Sequence, residues 1–409
     1  MIIAHKIELK PNNKQISYFT QAVGTARFAY NWALKQWQLQ YQAYQLNNTL
    51  SKPSQFSLRK ELNAIKNTQF PWMEKVTKCA PQMAIIQLGT AFQRFFDGVS
   101  KYPTFKKKGE HDSFTISNDQ FRVEAKKIRI PKLGWVRLKE LLRFSGKILS
   151  ATISRQAHKW FVSITIETTA NSNPIIESQD NTGVDLGLID LAVLSNGEKI
   201  PANSKVKKLL HKIAKLHKQL SKKEKKSRNY DKAKLKLARC YYHLSNIRKD
   251  VLHKLTHYLT QHFYIIAIED LNIKGMLKNS RLAKAISNMG WGEFKRQLLY
   301  KAKQKGNQVV LVDRWFASSK TCSNCDFVIS ELVLSEREWH CPNCHSHHDR
   351  DINAAVNLLN WAMKYLSTVS STGSHACGEE GSGKVRKNRV KPSALKQENS
   401  TDLALAKFR

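Results

Sequence analysis

The sequence predicts an α+β protein with several domains, and three observations lead to that fold class. One strand is followed by helical periodicity as far as residue 100, then by a series of short alternating strands, then by buried strands mixed with basic helices. The chain has 409 residues, of which 41% are hydrophobic. Because domains usually contain about 100–200 residues, this length is enough for two or three cores.

The first hundred residues predict one strand and then helices. Residues 2–9 alternate between apolar and polar side chains, as in a half-buried strand, and Pro11 breaks the pattern. Apolar side chains then recur at near-helical spacing, which predicts helices over about 14–45, 56–66 and 80–99. The N-terminal block is therefore mostly helical.

A run of short strands follows this helical block. Turn residues such as Pro131, Gly134 and Gly146 separate segments that mostly alternate. Strands are predicted over 114–117, 121–130, 135–138, 147–155 and 159–167. The helices thus interrupt a β unit that consists of the first strand and these later ones.

The second half of the chain predicts a different sheet. A polar linker is expected over 168–182, and the hairpin that follows at 183–198 has an Asn-Gly turn at Asn196 and Gly197. The apolar run at 263–268 predicts a buried strand. The later elements are a helix at about 290–305, a strand at 309–312 and a helix from near 352 to about 366.

Net charge indicates a polyanionic partner. The chain has 68 Lys and Arg against 32 Asp and Glu, which gives a formal net charge of +36. Such an excess repels itself unless a polyanion neutralises it, and nucleic acid is the usual polyanion. A membrane-surface protein or a ribosomal-type RNA binder would also be basic, but neither normally needs so large an apolar core. We therefore expect a nucleic-acid enzyme.

Membrane insertion and secretion are not expected. The sequence has no run of about 18 apolar residues, and its N-terminus has no apolar signal segment before a cleavage site. The predicted location is therefore the cytoplasm, without a membrane partner. Seven cysteines in that reducing compartment argue against a disulfide framework.

Residues 201–260 predict a basic helical hairpin. They contain 18 Lys and Arg and three acids, a surplus of 18 − 3 = 15 positive charges. Apolar residues in steps of three and four predict two helical arms, which the polar stretch 221–231 connects. One interpretation is a solvated hairpin without a function. The charge density favours an arm that faces phosphates.

Four cysteines have the spacing of a zinc ribbon. Cys322 and Cys325 form one CxxC knuckle, and Cys341 and Cys344 form another after a gap of 15 residues. Two knuckles complete a tetrahedral Cys₄ site without an open position, so its zinc ion is expected to be structural. A redox dithiol is the alternative, and the pairing of two knuckles disfavours it.

The remaining cysteines and the nearby histidines are expected to have other roles. Three cysteines lack a CxxC partner and are expected in the core or at the surface, namely Cys79, Cys240 and Cys377. Three histidines flank the second knuckle and could be spare ligands, but solvated or phosphate-facing positions are expected for them, namely His345, His347 and His348.

Three acidic residues have the order and context of a nuclease metal site. Asp185 lies in the hairpin strand, Glu269 ends the buried strand, and Asp351 starts the last helix. This is the layout of an RNase H-like nuclease site. Two Mg²⁺ ions about 3.5–4 Å apart would require several such hard oxygen ligands, one ion to form the attacking hydroxide and the other to stabilise the leaving 3′-oxygen.

Each acid alone is weak evidence, and the set is what makes the prediction specific. An Asp at a helix start is more often a cap, and a Glu at a strand end is more often a surface residue. Three neighbouring acids are assigned supporting or structural roles, namely Asp190, Asp270 and Asp349.

Four motifs in this order resemble the TnpB (OrfB) family of bacterial insertion sequences, which is related to type V CRISPR effectors. They are GVDLGL at 183–188, AIEDLNIKGM at 267–276, the two knuckles at 322–344 and DRDINAA at 349–355. Weaker similarity is found in VGTARFAYNWAL at 23–34, YPTFKKK at 102–108, PKLGWVRL at 131–138 and HACGE at 375–379. The resemblance covers nearly the whole chain.

The resemblance implies an RNA-guided DNA endonuclease. Such a protein uses a guide RNA from the transposon end, recognises a short motif beside a double-stranded DNA target, and cuts with one RuvC-like site. Asp185, Glu269 and Asp351 match the catalytic positions of the family. Base pairing would supply the sequence specificity, and the expected assembly is a monomer with its RNA.

The resemblance also implies a domain map. It predicts an RNase H-like (RuvC-like) nuclease domain with an inserted helical hairpin and a Cys₄ zinc ribbon, preceded by a β-barrel-like wedge domain with an inserted helical recognition domain. The boundaries are 1–10 and 101–170 for the wedge-like domain, 11–100 for the recognition domain, 180–369 for the nuclease domain, 201–260 and 320–347 for its insertions, and 370–409 for a disordered tail.

Two other functions remain open at the level of the sequence. A transposase could use the same three acids for DNA strand transfer, because one fold supports both reactions. A regulator of transposition that binds nucleic acid without cutting it is the other alternative. That alternative predicts broken acids, whereas all three acids are present.

Overall fold

The computed structural model describes residues 2–168, 180–333 and 335–372. Most of the expected linker, 169–179, and most of the expected disordered tail, 373–409, lie outside this part of the chain. No helix within it is long and apolar enough to cross a membrane.

Seven antiparallel strands form the first sheet. They are β1 (Ile2–Lys10), β2 (Ser113–Ser117), β3 (Arg122–Glu124), β4 (Lys127–Ile130), β5 (Gly134–Leu138), β6 (Lys147–Gln156) and β7 (Lys159–Glu167). Their order across the sheet is β2-β6-β7-β1-β5-β4-β3. The first strand therefore pairs with strands that follow more than a hundred residues later, as the sequence predicts.

Three helices occupy the interval between β1 and β2. They are α1 (Asn13–Leu46), α2 (Gln55–Gln69) and α3 (Cys79–Phe96), with a short 3₁₀ helix at Pro71–Lys75. Asn12 begins α1 with a capping box, in which its side chain and that of Gln15 each accept a hydrogen bond from the other's backbone N–H. The predicted helices are confirmed to within three residues at each end.

The helices and the first sheet share one hydrophobic core. Phe19 of α1 is fully buried, and its ring lies 6.1 Å from that of Phe114 in β2 and 5.1 Å from that of Trp160 in β7. Among the described strands, β2 and β3 are the edges and do not pair with each other. The expected barrel-like closure is therefore wrong, because α1 and α3 cover the face that a closed barrel would fill with its own side chains.

Five strands form a second, mixed sheet. They are β8 (Asp180–Asp185), β9 (Asp190–Leu194), β10 (Lys199–Pro201), β11 (Phe263–Glu269) and β12 (Gln308–Val312), in the order β10-β9-β8-β11-β12. Strands β8, β11 and β12 are parallel, whereas β9 and β10 continue from β8 as an antiparallel meander. Asp180–Thr182 belong to β8, so the linker prediction is wrong there; Thr182 is fully buried and pairs with Ile266.

A helical hairpin leaves this sheet after β10 and returns to it at β11. Its arms are α4 (Ser204–Ser221) and α5 (Arg228–His262). Buried side chains from both arms form its core, namely Ile213, Leu216, Leu237, Cys240 and Leu244. The predicted hairpin is confirmed, and its turn is shorter than expected, at 222–227.

The remaining elements complete the second half of the chain. They are α6 (Ile273–Met276), α7 (Ala283–Met289), α8 (Trp291–Lys305), β13 (Glu338–His340), β14 (His347–Asp349) and α9 (Arg350–Thr372). Helix α9 begins two residues before the predicted start and extends six residues past the predicted end, so that residues 370–372 of the expected tail are helical.

Candidate active site and cysteine cluster

Two of the predicted acids end neighbouring parallel strands. Val184 of β8 pairs with Ile268 of β11, and the next residue in each strand is Asp185 and Glu269 respectively. The carboxyl ends of parallel strands are a common place for ligand sites, because the side chains leave the sheet there toward one edge. Both acids are partly buried at this edge.

Gly183 brings the third acid to the same edge. A Cβ atom at Gly183 would lie 1.9 Å from the carbonyl oxygen of Ala355 and 2.8 Å from the backbone nitrogen of Leu359. Helix α9 therefore rests directly on the backbone of β8, a contact that only glycine permits. Asp351, one turn before Ala355 in this helix, is thereby held within electrostatic reach of Asp185.

Substituting Gly183 tests this contact. We expect Gly183→Ala to lower the free energy of unfolding by about 1–3 kcal/mol or more, since the added methyl overlaps with the backbone of α9. The matched control is Gly24→Ala in α1, where an added Cβ meets nothing within 4 Å and a helix favours alanine over glycine. Denaturant unfolding would measure both variants. Equal stability of the two would contradict the packing role of Gly183.

Asp351 is held by a residue that the sequence did not single out. One guanidinium nitrogen of Arg337 donates to both carboxylate oxygens of Asp351, at 3.0 Å each. Arg337 directly precedes β13, and the pairing of β13 with β14 places it beside the start of α9. No periodic pattern marks this arginine in the sequence, so only the fold could identify it.

The neighbouring acids have partners of their own. Asp349 accepts hydrogen bonds from the backbone N–H groups of Asp351 and Ile352, which caps α9, and its other oxygen pairs with Lys199. Asp270 pairs with Lys295 and Arg314, and these contacts lower its pKa. These contacts agree with the structural roles assigned to both residues.

Two of the predicted acids, Asp185 and Glu269, have raised pKa values. Burial, followed by the charges of Asp351 and Glu269, raises the pKa of Asp185 to about 7, against the opposing effect of Arg350. Burial also raises the pKa of Glu269, together with the charge of Asp270. Negative charge is therefore concentrated at this edge of the sheet, although Arg337 pairs with Asp351.

This charge predicts how the pH affects the metal-free chain. Because the pKa of Asp185 is raised from 3.8 to about 7 on folding, the folded state binds more protons than the unfolded state between these values, and stability falls as the pH rises through that range. In Asp185→Asn this contribution is absent. We expect the variant to melt at a higher temperature than the wild type above about pH 7 and to lose that advantage below about pH 4. A constant difference in Tm across that range would contradict the raised pKa.

The donor set suits a hard divalent cation. Three carboxylates supply oxygen ligands, and a doubly charged ion would relieve their mutual repulsion. Within the described residues, the only group of three or more His, Cys, Asp or Glu side chains that is arranged to hold a metal ion is a set of cysteines. The three carboxylates thus lie within electrostatic reach without converging on one point, and a cation that took both oxygens of Asp351 would replace Arg337 as its partner.

The four predicted cysteines do converge. The ligand atoms of Cys322, Cys325, Cys341 and Cys344 all lie within 4.8 Å of one another. The Sγ atoms of Cys322 and Cys344, and those of Cys325 and Cys341, are 3.6 Å apart. A tetrahedral zinc ion about 2.3 Å from each sulfur would place the sulfurs about 3.8 Å apart, so the cluster has dimensions that could hold zinc.

His348 is closer to this cluster than expected. Its side chain is buried, its Nε2 lies 3.1 Å from the Sγ of Cys322, and its ring packs 4.8 Å from that of Trp339. The prediction of a solvated or phosphate-facing His348 is therefore wrong, because the pairing of β13 with β14 encloses it. His345 and His347 are exposed, as expected. Cys79 and Cys240 are buried, whereas Cys377 lies outside the described residues.

Two buried asparagines connect the first knuckle to α9. Asn353 accepts a hydrogen bond from the backbone of Ser323 and donates to the carbonyl of Thr321, and Asn357 donates to the same carbonyl. Both amides are almost fully buried. Hydrogen bonds thus join the cysteine cluster to α9, the helix whose first turn contains Asp351.

Three family models match parts of the chain. Residues 163–280 match a model described as "Probable transposase", and residues 291–358 match the "Cas12f1-like, TNB domain". Residues 1–45 match a "Helix-turn-helix domain". In this structure the described part of that last range is the strand β1 and most of the single helix α1.

Similar proteins cover nearly the whole chain. A "Putative RNA-guided DNA endonuclease" of Streptomyces pristinaespiralis is 32% identical over 97% of this chain and 96% of its own length. The "Putative RNA-guided DNA endonuclease InsQ" of Escherichia coli (strain K12) is 31% identical, over 87% and 91% respectively. A "TnpB-like protein" of Acanthamoeba polyphaga mimivirus is 30% identical over 46% and 38%.

Among solved structures, a Cas12f1–sgRNA–target DNA complex matches with a TM-score of 0.35 and 16% identity, over 88% of this chain and 99% of the other. A CasPhi-2 (Cas12j) chain bound to crRNA matches with a TM-score of 0.44 and 10% identity, over 89% and 98%. The sequence relatives are decisive, because they align along almost their full length. This chain belongs to the TnpB (OrfB) family, which includes relatives named as RNA-guided DNA endonucleases.

Proposed function

We propose that this chain is an RNA-guided DNA endonuclease whose catalytic Mg²⁺ ions, two in number, are held by Asp185, Glu269 and Asp351. The observation that carries this proposal is the meeting of the three acids at one edge of the second sheet, where burial and mutual repulsion raise the pKa of Asp185. The names of the full-length relatives support the guide-RNA part of the proposal.

Other residues of the chain hold the proposed catalytic carboxylates in place. Bound Mg²⁺ supplies activation of water and neutralisation of the charge that develops on the scissile phosphate. Gly183 and Asp349 fix the start of α9 on β8, so that Asp351 keeps its place beside Asp185. The four cysteines would hold a structural zinc ion, and their convergence would fix the β13–β14 hairpin that Arg337 directly precedes.

We also propose the domain map given by the family resemblance, and the arrangement of the two sheets supports it. A meander β10-β9-β8 continued by parallel strands β11 and β12 supports an RNase H-like (RuvC-like) domain over 180–369. Its insertions are the basic hairpin at 201–260 and the zinc ribbon at 320–347. The open first sheet corresponds to a wedge-like domain, and the helices within 11–100 correspond to a recognition domain that shares its core.

The partners in this proposal are a guide RNA from the transposon end and double-stranded target DNA, bound by a monomer. The net charge of +36 suits two polyanions. The hairpin α4–α5 concentrates positive charge on exposed side chains, and its own core keeps it folded while those side chains face outward. We place it against nucleic-acid phosphates.

Removing charge from α4 tests that placement. Four of its exposed lysines are changed to glutamine, namely Lys205, Lys208, Lys212 and Lys215. If these lysines bind phosphates, a plot of the logarithm of the nucleic-acid binding constant against the logarithm of the salt concentration becomes shallower in the glutamine variant. The slope changes by about 0.7–0.9 for each phosphate that is no longer neutralised. The matched control changes the same four lysines to arginine, which keeps the charge and should keep the slope. An unchanged slope in the glutamine variant would remove α4 from the interface.

A transposase that transfers DNA strands is the second candidate. The match of residues 163–280 to a family model described as a transposase favours it. Strand transfer joins a 3′-OH end to target DNA, whereas a guided nuclease requires RNA and leaves only cuts. A regulator that does not cut is disfavoured because the three acids are present.

A cleavage assay distinguishes these functions. The chain is co-expressed with RNA from its transposon end, purified with that RNA, and given Mg²⁺ and a plasmid library in which a matching target adjoins randomised bases. We expect cuts that depend on the guide, on the adjacent bases and on Asp185. Joined products without added guide would support the transposase, and retained RNA without any cutting would support the regulator.

A further inference from the structure

A second candidate binding site lies in the N-terminal half of the chain. A cleft of about 800 Å³ opens beside α1, between this helix, the 3₁₀ helix at Pro71–Lys75 and the segment around Phe105. Four aromatic side chains line it, namely Phe28, Trp32, Trp72 and Phe105. None of these residues takes part in the carboxylate site or the cysteine cluster.

Two sequence motifs without an assigned role meet at this cleft. Phe28 and Trp32 belong to the motif at 23–34, and Phe105 belongs to the motif at 102–108. Asn31 joins the two: its amide donates to the carbonyl of Lys106 at 3.0 Å and accepts from the N–H of Lys106 at 2.8 Å. This pair of hydrogen bonds fixes Phe105 at the wall of the cleft.

The aromatic rings at the cleft are accessible. Trp72 is 40% exposed and Phe105 is 50% exposed, although both are large apolar side chains. The ring of Phe28 meets that of Trp72 edge to face, with the centroids 5.1 Å apart, which supports Trp72 from one side. At Gly24, an added Cβ would meet nothing within 4 Å, so the floor of the cleft has open space above it.

Positive charge surrounds these rings. Arg27, Lys35 and Lys75 line the cleft, and no acidic residue does. Arg27 is 3.6 Å from the carboxylate of Asp112. Neither Lys35 nor Lys75 forms an ion pair with a carboxylate in the described part of the chain, and both are exposed. Aromatic faces beside free cations suit a planar base attached to a phosphate.

We propose that this cleft binds an unpaired nucleotide of the guide RNA, with its base against Trp72 and Phe105 and its phosphates toward Lys35 and Lys75. A base within a duplex is stacked on both faces and cannot enter a cleft, whereas RNA loops and ends present unstacked bases. An apolar peptide would not require the cations. The choice of RNA as the source of the nucleotide rests on the proposed function, whereas the cleft itself does not.

Photocrosslinking tests the site directly. The probe is a single-stranded RNA of about 12 nucleotides that contains 5-iodouridine, bound to the full chain and irradiated, and crosslinked peptides are identified by mass spectrometry. We expect crosslinks at Trp72 and Phe105 that disappear when the probe is annealed to its complement. Crosslinks confined to other parts of the chain would overturn the proposal. Equal crosslinking here by single-stranded DNA of the same sequence would overturn the assignment to RNA.

Affinity measurements provide a second test. Because one stacked base contributes about 1–3 kcal/mol, we expect Trp72→Ala to weaken binding of the same RNA about tenfold. The matched control is Trp135→Ala, since Trp135 in β5 is 39% exposed and lies outside the cleft. Trp72→Phe keeps an aromatic face and should restore most of the affinity. An equal loss in Trp135→Ala, or none in Trp72→Ala, would contradict the proposal.

These readouts are independent of DNA cleavage. A chain that crosslinks RNA in the cleft but cuts no DNA would keep the binding site while refuting the endonuclease. A chain that cuts DNA with its guide but shows no crosslink at Trp72 or Phe105 would refute the binding site alone.

Discussion

Replacing Asp185 with alanine is expected to abolish DNA cleavage, by at least about a thousandfold. Asp185 ends β8 at the centre of the acidic edge, and it is affected by the charges of both Glu269 and Asp351. A divalent cation contributes several kcal/mol to the stabilisation of a phosphoryl transition state, and each 1.4 kcal/mol corresponds to a factor of about ten in rate. Single-turnover cleavage of a guide-matched plasmid would measure the decrease.

The matched control is Asp190→Ala. Asp190 lies on the same hairpin, at the start of β9, and is also partly buried. We expect this variant to cut at nearly the wild-type rate, and we expect both variants to keep their RNA. If Asp185→Ala cut as fast as Asp190→Ala, Asp185 would not be a catalytic ligand. If it released its RNA, the defect would be one of folding or assembly.

The positions of Asp185 and Glu269 at strand ends could be predicted from the sequence, because the end of an apolar run shows where a buried strand leaves the core. The run at 263–268 is apolar throughout, so the first charged residue after it, Glu269, had to lie where the strand leaves the core. Asp185 is recognisable by its glycine-flanked motif. The reason for the first glycine of that motif became visible only when α9 was seen to rest on Gly183.

Other features depend on long-range pairing, which alternation alone does not specify. The short strands between residues 113 and 167 were predictable, but their sequence does not reveal that β2 and β3, the edges of the described sheet, do not pair with each other. For the same reason Arg337 was missed as a contact of Asp351, and His348 was expected to be solvated or phosphate-facing rather than buried against Cys322. Both take their positions from the pairing of β13 with β14, in which Trp339 lies opposite His348.

The cleft beside α1 could not be predicted from the sequence either. Two of its aromatic residues, Phe28 and Trp32, have the helical spacing of an ordinary core and are indeed partly buried. The position of Phe105 at the cleft depends on how Asn31 holds the segment at Lys106. A hydrogen bond between residues 75 positions apart leaves no pattern in the sequence.

Replacing Cys322 with serine is expected to release the bound zinc and to loosen the start of α9. Cys322 is fully buried, and its sulfur lies against Cys344 and His348. Structural zinc sites contribute about 10–16 kcal/mol of apparent binding free energy, most of which becomes folding free energy. Metal analysis should therefore fall from about one zinc per chain to none, with a lower melting temperature.

The consequence should extend beyond the cluster to Asp351. Asn353 and Asn357 attach the first knuckle to α9. The second knuckle lies in the turn between β13 and β14, and Arg337, which directly precedes β13, donates to Asp351. We expect faster amide hydrogen exchange over 338–352 and slower DNA cleavage in Cys322→Ser.

The matched control is Cys79→Ser, because Cys79 is equally buried, at 1% exposure, and belongs to a different core. Unchanged zinc content in Cys322→Ser would contradict the Cys₄ site. If zinc were absent and amide hydrogen exchange in α9 were unchanged, the cysteine cluster would not position the carboxylates. Gly183 and Asp349 would then be the residues that hold Asp351 in place.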